Sequence, residues 1–594
     1  MKNIVLLFLL SYSLIACNDR GKTNTGANNK NLAAFFEKYH EESLQLFPLN
    51  ATIEGDNRYN DLLPVDFTDS YREKQKSFYQ SYLDQLIKFD RNELNETDKL
   101  SYDIFKYTMD MNIEGFKFHD NYIPFNQFWA LPIYMGQFGS GESAQPFKTV
   151  TDYDNWIKRV TAFGVWADSS IVYLRKGMAA NFVLPKSLVV KMIPQFTALV
   201  TDSTHVKDNL FYAPVNKIPD SFSVADKKRL TDAYVKMVNE QISPTYKKLA
   251  DFLQNEYLPK ARTTSGIGSL PDGKAYYEYL TRYQTTTDKT PEDIYNIGLS
   301  EVKRIRSIMD SVKNAVGFKG DLPAFFEYMK TDKKFMPYKT PEQVLAAYHT
   351  IHETMKPNLQ KMFTNVPRSK FEVRQTEAFR AASASAEYNT GTPDGTRPGI
   401  FYVPIIDATK YNTTSGMESL FLHEAIPGHH YQLSLQMEDT MLPKFQRFGG
   451  QNAYVEGWAL YCESLGKELG LYTDPYQYMG ALGDEMHRAI RLVVDVSIHV
   501  KGMTREEAIK YMMDNEAISE EGATAEIERY MAIPGQALGY KIGALKIREL
   551  RTKYEKELGN KFKIASFHDE VLKNGSMPLA LLEKKMDEWA KSLK

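Results

Sequence analysis

Cysteine is nearly missing from this chain: among 594 residues only Cys17 and Cys462 carry a thiol. A disulfide framework is thereby excluded, and the fold has to hold by its core alone. Neither sign of charge dominates, with 73 Lys and Arg against 75 Asp and Glu for a net of −2. That balance leaves no electrostatic footprint for nucleic acid. Beyond the N-terminus no apolar run approaches the ~20 residues that span a bilayer. Internal repeats and low-complexity linkers after residue 30 are missing too, which favours one large continuous unit over a string of small domains. Aromatic surface is abundant, with 37 Tyr and 33 Phe, enough to line a large cleft as well as a core.

The first residues read as an address. Met1-Lys2-Asn3 forms a short positive region, and Ile4 to Ala16 an apolar one too short to cross a membrane. Leu14-Ile15-Ala16-Cys17 then fits a bacterial lipobox, with residues 1–16 removed and Cys17 acylated. This predicts a lipid-anchored protein of the bacterial cell envelope, periplasmic or surface-facing, whose partner is the bilayer. Residues 17–30, polar and rich in Asn, Gly, Thr and Lys, read as a flexible tether. Cys462 has no partner left.

Most of the remainder reads as helix. Leu32 to Leu46 and Tyr71 to Phe89 carry apolar residues at helical spacing, the second after Thr68-Asp69-Ser70. Thr151-Asp152 opens a stretch with Trp156, Val160 and Phe163 on one face, and residues 225–258 read as a long helix interrupted near Pro244. Thr290-Pro291-Glu292 combines a cap, a proline at the first position and an acid in the first turn, and Thr340-Pro341 repeats the cue. Turn chemistry fills Asn389 to Gly395, and Gly399 to Pro404 is a short β-prone run.

The chemistry concentrates in Leu422-His423-Glu424-Ala425-Ile426-Pro427-Gly428-His429-His430 and in Glu456 of Tyr454-Val455-Glu456-Gly457-Trp458. A catalytic zinc takes three N or O ligands and leaves one position for water, while a carboxylate that is not a ligand takes that water's proton. Neighbours on a helix differ by about 100°, so His423 and Glu424 divide into ligand and base. In the common H-E-x-x-H pattern the second histidine stands at i+4; here that position is Pro427. His429 or His430 can reach the same ion only if the helix widens or breaks, which Pro427-Gly428 invites. His429 needs less extra chain absorbed and is favoured over His430. Glu463, two turns after Glu456, is expected either to orient a ligand or to sit as a solvated carboxylate, and Arg491, Asp495 and His499 either to support the site as a partly buried polar face or to form a structural ion-pair network.

The pattern H-E-A-x-P-G-H-H-x-Q with a following E-G-W-A-L-Y resembles a large bacterial family, domain of unknown function eight hundred and eighty-five. Leu270-Pro271-Asp272-Gly273, Thr396-Arg397-Pro398-Gly399 and Pro534-Gly535-Gln536-Ala537 extend the resemblance through most of the chain. That family in turn resembles the gluzincin peptidases. The resemblance implies a mainly α, two-lobed metallopeptidase fold with a deep central cleft and a small β element beside the metal helix. Residues 31–594 would form one catalytic domain, an N-terminal helical lobe to about 260 and a metal-bearing lobe beyond. It also implies that strand 399–404 presents an edge to extended substrate, and that Tyr530 or Tyr540 donates to the oxyanion.

The resulting expectation is a zinc metallopeptidase for short unstructured peptides, acting as oligopeptidase or exopeptidase. His423, His429 and Glu456 would hold Zn²⁺, and Glu424 would act as general base. The competing expectations are a lipid-anchored peptide-binding protein with a degenerate site, and a zinc hydrolase of a non-peptide amide.

Overall fold

The computed structural model describes residues 28–376, 385–392, 395 and 397–594. The lipobox, Cys17 and the tether to residue 27 lie outside the described residues, as do Pro393, Asp394 and Thr396 of the motifs above. The described chain is mainly helical, with one three-stranded sheet.

Local chemistry sets many of the helix ends. Helix α1 spans Lys30–Leu46, and α2 spans Asp69–Leu86 behind Thr68, whose hydroxyl accepts from the Tyr71 amide. Helix α3, Val150–Ala179, is capped two residues before the expected Thr151: Thr149 is the cap and Asp152 closes a capping box with it. Trp156, Val160 and Phe163 are buried along it, as their spacing predicts. The stretch read as 225–258 runs as successive helical segments from Val224 to Tyr257, with a widened turn over Val238–Ile242 just ahead of Pro244. Helix α4, Pro291–Ala315, has the Thr290–Asp293 box and proline at its start, and α5 covers Pro341–Met362.

Strands β1 (Phe371–Gln375), β2 (Glu387–Asn389) and β3 (Gly399–Val403) form a sheet in the order β1-β3-β2. Strand β1 runs parallel to β3 along its whole length, and β2 runs antiparallel to it from Ile400 to Tyr402. This corrects the expectation that 399–404 offers an edge. Both sides of β3 are already hydrogen-bonded, and the buried Ile400, Phe401 and Val403 mark it as the central strand.

The metal-motif helices follow: α6 (His429–Glu438), α7 (Asn452–Glu463), α8 (Pro475–Val496), α9 (Glu520–Ala532) and α10 (Leu538–Leu558). Two large apolar cores hold them. One joins Trp156 and Phe163 of α3 to Ile305 of α4, Val493 of α8 and Ile527 of α9. The other joins Tyr348, Phe401, Phe421 and Trp458 to Leu492 and Val496 of α8 and Ile542 of α10. Helix α8 therefore feeds both cores. The first core also holds Tyr257 and Val302 together.

Candidate metal centre

The segment carrying His423 is a helix that is interrupted. A regular turn at Met417–Leu420 opens into a π-turn over Phe421–Ala425, and the chain leaves helical geometry at Ile426 before α6 begins at His429. Pro427 has no amide to donate, and Gly428 is required by contact: a Cβ there would lie 2.0 Å from the carbonyl oxygen of His423. The Trp458 indole donates to the Pro427 carbonyl at 2.9 Å and ties the break to α7. His429 is thereby folded back beside His423, with ring centroids 4.9 Å apart and planes at 90°.

Glu456 meets them from α7. Its Oε2 stands 3.6 Å from Nε2 of His423 and 3.5 Å from Nε2 of His429. Ligand atoms of the three residues all lie within 4.8 Å of one another. Tetrahedral zinc with bonds of about 2.0–2.1 Å sets its ligand atoms about 3.4 Å apart. The two carboxylate–imidazole distances match that spacing, and the donor set of two imidazoles and a carboxylate suits zinc. Nδ1 of His423 meets Glu463 at 2.7 Å, a carboxylate placed to fix the tautomer of that ring. Nδ1 of His429 is buried without a hydrogen-bond partner. His430 points elsewhere: its Nδ1 meets the Tyr388 hydroxyl of β2 at 2.9 Å, and its ring packs on Phe371.

Helix α10 is pressed onto α7 so closely that only glycine fits at the crossing. A Cβ on Gly543 would stand 1.8 Å from the Ala453 carbonyl, and one on Gly457 2.5 Å from the Cα of Gly543. One turn before Gly543, Tyr540 consequently lies against the cluster, its ring stacked on His423 with centroids 6.3 Å apart.

Residues 48–586 match a family described as bacterial proteins of unknown function, DUF885. The chain belongs to that family. A solved protein of Colwellia psychrerythraea, provisionally named a lipoprotein, is 28% identical over 95% of this chain and 99% of its own, with a TM-score of 0.86. A second, from Shewanella oneidensis, provisionally named a lipoprotein of unknown function, is 20% identical over 93% of this chain and 99% of its own, with a TM-score of 0.71. The second likeness shows the shared fold. No curated protein matches the chain.

Electrostatics in this DUF885 protein follow from burial and proximity. Burial alone would lower the pKa of His423; the carboxylates of Glu456 and Glu463 outweigh it and push it up to about 10. Burial would raise Glu456, but the two imidazoles hold it well below the usual carboxylate range. The opposite charges of His423 and Glu456 thus favour each other. Glu424 is raised, because burial and the nearby Glu456 outweigh the attraction of His423, His429 and Arg488. His430 is lowered by burial to about 4 and stays neutral.

The two candidate tyrosines occupy different settings. The Tyr530 hydroxyl donates to Glu526 at 2.6 Å and accepts from Arg491 at 2.9 Å, inside a buried network. Tyr540 has Arg491 over its ring at 4.7 Å and Arg529 at 3.5 Å from its hydroxyl. Asp495 and His499 serve the scaffold. Asp495 accepts from the Tyr277 hydroxyl at 2.5 Å and the Gly535 amide at 3.1 Å. Through its ring His499 accepts from the Ile267 amide and donates to the Tyr530 carbonyl, both at 3.1 Å. Sequence reasoning gave no role to Arg488, Tyr388 or Arg529. Arg488 lies 3.3 Å from Glu463 and 3.4 Å from Asp484. Its place seven residues after Ala481 on the buried face of α8 was the available signal.

Proposed function

We propose that this protein is a zinc-dependent peptidase acting on short, unstructured peptides. The observation that carries the reading is the convergence of His423, His429 and Glu456 beside a carboxylate, Glu424, that is not one of the three. His423 and His429 through Nε2, and Glu456 through its carboxylate, would hold the ion. Bound there, zinc would acidify a water and polarise the scissile carbonyl. Glu424 takes the proton of the attacking water and later returns it to the leaving amine. Its raised pKa brings it closer to the pH at which a general base is effective. Tyr540 donates its hydroxyl to the oxygen on which negative charge develops, and Glu463 keeps Nδ1 of His423 protonated so that Nε2 faces inward.

Extended substrate would enter a cleft over this site and be gripped by its main chain, which makes selection by length sharper than selection by sequence. Strand β3 is the central strand of its sheet, so the grip would fall to one of the two outer strands, β1 or β2. These roles are the ones that a resemblance of the motif to gluzincin peptidases would imply. The lipobox at Cys17, together with relatives provisionally named lipoproteins, supports an anchored enzyme of the cell envelope.

The test is metal analysis of the purified protein with a peptide digest, with and without chelator. Zinc at one equivalent and chelator-sensitive cleavage are expected. Glu424→Gln should keep zinc and lose turnover by roughly three orders of magnitude or more. A metal-free protein that binds peptides without cutting them would establish the binding-protein alternative instead.

A further inference from the structure

An aromatic and cationic rim adjoins the site. The loop before residue 130 is pinned to the last turn of α9: Asn126 donates to the Ala532 carbonyl at 3.1 Å, and Gln127 to the Glu528 carbonyl at 2.9 Å. The Asn126 side chain also accepts from the amides of Phe128 and Trp129 at 2.9 and 2.6 Å. So held, Phe128 and Trp129 keep 44% and 51% of their surface exposed. Two large rings fixed in solvent on a rigid turn mark a contact surface. Phe128 stacks under the guanidinium of Arg529, 5.2 Å from its centre, and Arg529 stands 3.5 Å from the Tyr540 hydroxyl.

Arg529 is poorly neutralised. It donates to the neutral Gln536 at 3.0 Å, and its Nε has no partner. The nearest carboxylate in contact is Glu526 at 3.5 Å. That carboxylate already takes Tyr530 at 2.6 Å, Arg491 at 3.0 Å and His487 at 3.3 Å. One carboxylate thus faces two guanidinium groups and an imidazole, and an anion beside Arg529 would meet a guanidinium whose charge that carboxylate does not balance alone.

We infer that Arg529, Phe128 and Trp129 form the subsite for the last residue of a peptide substrate, with its free carboxylate on Arg529 and an apolar or aromatic side chain on the two rings. The inference rests on the peptidase reading. A guanidinium matches a carboxylate in shape and charge, and Arg529 lies one hydroxyl away from the donor assigned to the scissile carbonyl. With about 3.5 Å per residue of extended chain, the carboxylate it holds falls within one or two residues of that bond. The enzyme would then release single residues or dipeptides from C-termini.

The experiment uses the zinc-loaded full chain and an N-acetylated tetrapeptide, three alanines followed by phenylalanine, as free acid and as C-terminal amide. The free acid should be cleaved at least about tenfold more efficiently, as expected when a hydrogen-bonded charge is lost. Arg529→Gln should collapse that ratio toward one mainly through KM, with zinc content and melting temperature unchanged, and Arg529→Lys should restore part of it. Phe128→Ala should reduce the preference for C-terminal phenylalanine over alanine. Equal cleavage of acid and amide by the unmodified protein would overturn the subsite and leave the peptidase standing. Failure to cleave either peptide would overturn the peptidase reading, and the subsite with it.

Discussion

Glu463→Gln isolates one electrostatic contribution to the candidate metal centre. Glu463 is 5% exposed, and its Oε1 lies 2.7 Å from Nδ1 of His423 and 3.3 Å from Arg488. A glutamine oxygen can still accept the imidazole proton, so the orientation of the ring survives and only the negative charge behind it is removed. His423 then becomes a weaker donor, and Arg488 keeps only Asp484, at 3.4 Å. Loss of such an outer partner costs about 10- to 100-fold in metal affinity, or about 1.4–2.8 kcal/mol. The assay is competition for zinc against a chromophoric chelator at fixed pH, with circular dichroism to establish that the variant is folded. A folded variant whose zinc affinity stays within about twofold of the parent's would refute the reasoning, because His423 would then not depend on that charge as a ligand must.

Four further outcomes are expected. His429→Ala should lose zinc by elemental analysis, whereas His430→Ala should retain it, because His430 is turned toward Tyr388. Tyr540→Phe should lower kcat by about 10²-fold with zinc retained. Tyr530→Phe should mainly lower the melting temperature, by a stability loss of about 1–3 kcal/mol, through its bonds to Glu526 and Arg491. Asp495 is raised by burial to about 7, so the folded protein binds a proton there that the unfolded chain releases near pH 4. Its contribution is complete below that pH and is lost as pH rises to about 7; melting curves of Asp495→Asn should lack this decline between pH 4 and 7.

Many of the helices were legible because their signals are local. The Thr290-Pro291 start and the Thr68 cap need only a few consecutive residues, and both cap as expected. The cap of α3 was misplaced by two residues because Thr149 and Thr151 are both competent, and Asp152 closes its box with the first. The break at Pro427-Gly428 was legible for the same reason, since a missing amide and a forbidden Cβ act within one turn. Strand β3 was recognised as a strand, but its place in the sheet was not. Pairing with β1 and β2 is set by segments distant in sequence, and no periodicity in Gly399–Val403 reports how many partners it has.

The sequence by itself determined which residue types could form a metal centre, and that His423 and Glu424 must face differently, because helical rotation separates neighbours. It also determined that a second histidine could approach only across a broken helix. Tertiary structure alone decided the rest. The backbone contact between Gly457 and Gly543 carries Tyr540 to His423, and Glu456 is brought within 3.5 Å of His429 by packing of α7 against that break. Tyr530 and Tyr540 look alike in the chain; burial gave the hydroxyl of one to Glu526 and Arg491 and left the other beside the cluster. Long-range contacts of this kind depend on how whole faces pack, and single positions in a sequence do not encode that packing.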